Sequence, residues 1–144
     1  MFTARKIKMS TMRINSEVET KWRDAFGEIH IPETSHCPNQ IKKICENILT
    51  MYTGLDGVCP TSYNTMSELD KMIMLDYWER YDNMNLYINN LGEFEQWFIK
   101  RATESELLRR SRQFLVEHRA LLVKSEVKER ADHANDNMRH SVKH

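Results

Sequence analysis

Three apolar doublets, Leu107-Leu108, Phe114-Leu115 and Leu121-Leu122, recur at seven-residue spacing, and no Gly or Pro follows Gly92. Seven residues make two turns of an α-helix, so the doublets stack as one apolar stripe. Thr103 and Glu106 stand just before the first doublet at the spacing of a capping box, in which side chains take up free amides at a helix start. The spacing predicts a helix over 104–134. At about 1.5 Å per residue it would reach roughly 45 Å, farther than a small globule is wide. Such a rod needs a partner along its length.

An earlier stretch supplies one. Thr65 and Glu68 repeat the capping-box spacing, and Leu69, Ile73, Tyr77, Tyr81, Met84, Ile88 and Leu91 follow at helical intervals. The pattern predicts a helix over 65–91 that Gly92 breaks. Two helices of similar length with a short join favour an antiparallel hairpin. Two shorter helices are expected ahead of it. Ser16 and Glu19 open the first, which carries Val18, Trp22 and Phe26 on one face before Gly27. Pro38 suits the first turn of the second, where Ile41, Ile44, Cys45, Ile48, Leu49 and Tyr52 keep a 3–4 spacing up to Gly54.

The expected fold class is therefore all-α, a small helical bundle built on a long antiparallel hairpin. With 4 Gly and 3 Pro in 144 residues, the chain has little material for turn-rich β structure. The expected organisation is a basic flexible arm over 1–15, one helical domain over 16–134 and a frayed tail over 135–144. Ser111, His118 and Ser125 fall between the doublets, where a strict coiled coil places a second apolar residue. A long homodimeric zipper is not expected.

Charge is balanced overall, with 21 basic and 21 acidic residues, so net charge draws the chain to neither nucleic acid nor anionic membrane. Its distribution is uneven. Residues 1–15 hold Arg5, Lys6, Lys8 and Arg13 and no acid, whereas residues 61–99 hold seven acids against Lys71 and Arg80. From Lys100 onward, eleven basic residues face seven acids. The N-terminus lacks the apolar run of a secretory signal, residues 1–13 are basic and acid-free like an organellar presequence but very short for one, and no stretch has the length of an apolar membrane span.

Reactive constellations are sparse. Cys37, Cys45 and Cys59 form no CxxC pair and suit a reducing compartment. His30 and His36 stand near Cys37 but without the paired spacing of a zinc site, so no metal is expected. Asp70, Asp76, Glu79 and Asp82 line the third helix, yet a carboxylate-bridged di-metal bundle needs Glu-x-x-His on two helices, which the predicted helices lack. No glycine-rich phosphate cradle is present, and no cofactor is expected.

Two candidate surfaces remain. Arg109, Arg112 and Arg119 fall near one side of the last helix and, with Arg5, Lys6, Lys8 and Arg13, are candidate nucleic-acid contacts. Arg112 also flanks the leucine stripe, where an arginine stem covers apolar surface and pairs with an acid. Phe94, Trp97 and Phe98 crowd the connector between the long helices and are candidate protein-interface residues. They either plug one end of the hairpin, covered by Trp22 and Phe26, or meet another subunit.

The functional expectation is a non-enzymatic interaction or assembly protein, oligomer-forming or partner-binding. Its size and composition are shared with adaptors and with virion or DNA-packaging components. The alternative is a nucleic-acid-binding protein that uses the basic arm and the arginine-rich last helix. A protein partner or a second copy is expected and a membrane is not. The setting is the cytoplasm, another reducing compartment or the inside of a virus particle.

Overall fold

The computed structural model describes residues 11–54 and 56–123. In chain order these form β1 (Arg13–Ile14), α1 (Ser16–Lys21), α2 (Asn39–Thr53), α3 (Met66–Tyr81), α4 (Leu91–Lys100), α5 (Ser105–Glu117) and β2 (Leu121–Leu122). Short 3₁₀ turns cover Glu33–Ser35 and Met84–Leu86. The fold is mostly helical, and the described strands make one two-stranded sheet.

The core forms around α2. Its 3–4 apolar spacing turns Ile41, Ile44, Cys45, Ile48 and Leu49 inward, where they join Leu108 and Leu115 of α5 and Leu69 and Ile73 of α3. Two polar ties connect α3 to the last helix. Arg112 of α5 donates to Asp70 in the first half of α3, and the Trp78 indole near the end of α3 donates to the Thr103 carbonyl just before α5.

Helix starts follow the sequence in one case and depart from it in two others. The Thr65 hydroxyl accepts from Glu68 N at 3.1 Å, and the Glu68 carboxylate accepts from Asn64 N, so this cap is built locally. Thr103 is spent otherwise. Its N–H donates to the Asp82 carboxylate at 2.8 Å, its carbonyl accepts from Trp78, and α5 begins at Ser105 with no side-chain cap. At α1 the capping side chain belongs to Asn15 and not to Ser16.

The two long helices are shorter than the periodicity predicts. The expected 65–91 helix stops at Tyr81, because Asn83 turns left-handed at φ 57° and the chain passes into a 3₁₀ turn. Asn tolerates that conformation better than most residues. Gly92 is not the break: it lies inside α4, whose start is capped by Asn90 accepting from Glu93 N.

The expected 104–134 helix stops at Glu117. Arg119 takes φ 59°, Ala120 N–H reaches back to the Leu115 carbonyl at 2.8 Å, and the chain reverses. Leu121 and Leu122 then run as β2, antiparallel to β1, with Leu121 opposite Ile14 and Leu122 opposite Arg13. Residues 124–134 lie outside the described residues, as does the tail expected over 135–144.

The expected arm over 1–15 is also redrawn. Met12 is fully buried, its N–H donates to the Pro60 carbonyl, and Thr11 bridges to Thr61. Residues 11–15 thus belong to the folded body, tied down further by the Asn15 side chain donating to the Arg119 carbonyl. Arg5, Lys6 and Lys8 lie outside the described residues.

Candidate protein-interaction surface

Helix α4 carries Leu91, Phe94, Trp97, Phe98 and Ile99 within ten residues, too many apolar groups for one helix face to bury. Trp97 takes the inner side. It is 2% exposed, and its indole N–H donates to the Asp82 carbonyl at 2.6 Å, in the turn that ends α3. Trp78 meets it edge-on at 5.9 Å, Tyr87 stacks at 6.4 Å and Phe94 tilts against it at 5.4 Å. Arg101 closes the side of this cluster by donating to the Tyr87 hydroxyl, its guanidinium over the ring.

The aromatic connector is therefore divided between two roles. Trp97 is a plug, and the expectation of an interface does not hold for it. Its cover comes from Trp78, Tyr87 and Phe94 rather than from Trp22 and Phe26: Trp22 packs on the main core, and Phe26 is 91% exposed. Phe98 keeps 46% of its surface in water while touching Trp78 edge-on at 5.7 Å. Leu91 and Ile99 on the same helix are 74% and 72% exposed. On α3, Leu75 stands exposed one turn before Trp78. These exposed side chains lie on two helices that meet through the Trp78–Phe98 contact.

The candidate nucleic-acid contacts do not gather into one free cationic face. Arg112 is 8% exposed and grips both oxygens of the buried Asp70 carboxylate, at 2.6 Å and 3.1 Å. It is removed from the phosphate-contact set, because reaching a phosphate would leave a buried carboxylate unpaired. Arg109 is held by Glu106 at 2.6 Å and by Gln113. Arg13 is exposed on β1, and Arg119 is exposed at the left-handed turn after α5.

A polar groove of about 460 Å³ runs between the end of α2 and α3, lined by Tyr52, Asp56, Asp76, Glu79 and Arg80. Gly57 closes one wall, and a Cβ there would meet the Met51 carbonyl at 2.7 Å, so only glycine fits. The Tyr52 hydroxyl donates to Asp76 at 2.6 Å. Burial raises the Asp76 carboxyl above its ordinary range, with the Tyr52 hydrogen bond opposing and Glu79 adding.

A raised folded pKa makes the unfolded chain release this proton first, so stability falls as pH rises from the ordinary aspartate range through the folded value. Asp76→Asn should flatten that part of the pH–stability curve, with the two proteins converging at the acid end. Urea unfolding between acid and neutral pH measures it. An unchanged slope would mean that Asp76 titrates as in the unfolded chain.

Of the cysteine and histidine candidates, the Cys37 and Cys45 thiols lie within hydrogen-bonding reach of each other, and no metal-sized grouping forms around them among the described residues. Cys45 is buried in the core with its thiol pushed up by burial, and burial also raises Cys37 and Cys59. A grouping that sequence spacing did not mark lies at the turn through Gly27. There the His30 ring lies 2.9 Å from Asp24, while Asp24 also accepts from Phe26 N and Glu28 N. Glu28 stands 3.7 Å from the same ring nitrogen, and all three residues are exposed. These bonds lock the turn.

Comparison with known proteins finds no family model that matches the chain, and no matching curated protein or solved structure. Among the described residues, no helix is long and apolar enough to cross a membrane.

Proposed function

We propose that this protein is a non-enzymatic helical interaction module whose working surface is the outer face of α4 with the adjoining edge of α3. The observation that carries the reading is the exposure of Leu91, Phe98 and Ile99 on a helix whose inner face is already filled by Trp97. An exposed apolar surface of this kind marks an interface more often than a solvated helix face. In this reading α3 and α5 form the antiparallel hairpin of the bundle. Asp70–Arg112 and Trp78–Thr103 hold it, and α4 is mounted on one end. A role in a larger assembly, including a virion or packaging complex, accords with a small helical body that carries an exposed apolar face.

The test pairs Leu91→Lys with Ile99→Lys in one variant. Its unfolding free energy should stay within about 0.5 kcal/mol per site of the parent, as exposed positions do, while self-association or binding to an apolar matrix falls sharply. Light scattering across protein concentration, with and without duplex DNA at two salt concentrations, reads the outcome. A large loss of stability in the variant would show the face to be part of the core. A salt-dependent mass increase with DNA, indifferent to the variant, would favour the nucleic-acid reading instead.

A further inference from the structure

The apolar surface on α3 and α4 is bordered by acids. Glu95 stands four residues after Leu91 and three before Phe98, so it lies on the same side of α4. Glu79 stands four residues after Leu75 on α3 and also lines the groove that holds Asp56 and Asp76. Among the described residues, neither Glu79 nor Glu95 takes part in an ion pair. Ring contacts link the middle of the apolar strip. Leu75 is one turn before Trp78, Trp78 meets Phe98 at 5.7 Å, and Phe98 stacks on Phe94 at 6.3 Å.

We infer that this face receives a cationic amphipathic segment of a partner protein, its apolar side on Phe98 and Leu91 and its lysine or arginine heads on Glu95 and Glu79. The inference rests on the interaction reading above and adds the chemistry of the occupant. Charge selects among occupants. Glu95 sits near the middle of the ten-residue α4, so a two-fold pairing with a second copy whose axis passes through α4 sets Glu95 against its own counterpart. Like charges brought together in a partly desolvated interface are unfavourable. A basic residue at that point removes the repulsion and gains an ion pair beside apolar surface, where water screens it less. Residues 61–101 hold seven acids against Lys71, Arg80, Lys100 and Arg101, and with Asp70 neutralised by Arg112 the balance around the face is modestly acidic.

The test uses two synthetic helical peptides with the same leucine stripe, one with lysines and one with glutamates on the polar face. Binding is followed by titration calorimetry and by tryptophan fluorescence, since Phe98 lies against the Trp78 ring. The lysine peptide is expected to bind at least tenfold more tightly than the glutamate peptide, and more weakly as salt rises. Glu79→Gln with Glu95→Gln should erase most of that preference while leaving the melting temperature in place. Leu91→Ser with Ile99→Ser, which removes the apolar surface without adding charge, should abolish binding of both peptides.

Equal binding of the two peptides, or a preference that survives the double Gln variant, would overturn the cationic occupant while leaving the interaction reading standing. Concentration-dependent dimerisation abolished by the Leu91 and Ile99 substitutions, with neither peptide bound, would make the occupant a second copy and overturn the inference alone. Failure of both peptides together with a monomer at every concentration would overturn both readings.

Discussion

Replacing Arg112 with alanine is expected to cost about 3–5 kcal/mol of stability, the range for removing one partner of a buried ion pair. The guanidinium meets both Asp70 oxygens at 2.6 Å and 3.1 Å, and both residues are buried. Without it, the Asp70 carboxylate stays in the protein with no cation, and that desolvated charge accounts for most of the loss. The pair itself contributes less than this figure suggests. Two charges taken from water repay their desolvation only with good geometry, so Asp70→Leu with Arg112→Met should recover much of the stability lost in the single variant. Urea unfolding of the two single variants and the double variant gives the coupling directly. A single-variant cost under about 1 kcal/mol would instead place the pair with exposed ion pairs. A domain of this size has about 5–15 kcal/mol in total, so the single variant should still fold at low temperature.

Trp97→Ala is the second large effect, expected at about 3–5 kcal/mol from lost apolar contact and the cavity left behind. The loss should be local in structure. Trp97 joins α4 to the end of α3 through its rings and through the bond to the Asp82 carbonyl, so α4 should loosen before the α2–α3–α5 core does. Hydrogen exchange would show α4 amides losing protection first. Trp97→Phe keeps an aromatic ring and removes the donor, which should cost less. The comparison with Phe98 sharpens the point. Phe98 is one residue further along the helix and half in water but packs on Trp78 and Phe94, so a charged substitution there should cost clearly less than Trp97→Ala and alter association. If Trp97→Ala melts like the parent, the plug reading fails and the interface expectation returns.

Several features of this fold could be read directly from the residues. The 3–4 spacing of Ile41, Ile44, Cys45, Ile48 and Leu49 determined α2 and its buried face. The Thr65–Glu68 pair determined where α3 begins, and the doublets at 107–108 and 114–115 determined the inner side of α5. All of these rest on bonds and contacts within four residues, which is the range that periodicity reports. The crowding of Phe94, Trp97 and Phe98 marked the candidate surface, but not which ring goes inward.

The tertiary structure decided the rest. Leu121-Leu122 continues the seven-residue repeat, yet becomes a strand because Arg13 and Ile14, more than a hundred residues away, offer their backbone to it. Met12 looks like part of a basic arm and is core because Pro60 and Thr61 receive that segment. Arg112 fits a phosphate-binding row in the sequence and is an internal cation because Asp70 on another helix faces it. At residue 82 the carbonyl and carboxylate are taken by Trp97 and Thr103, and the helix that could have run to Leu91 ends there. Local spacing determines which residues can be helical. Where each helix stops depends on backbone hydrogen bonds and charge pairs between residues far apart in the chain, which no local pattern contains.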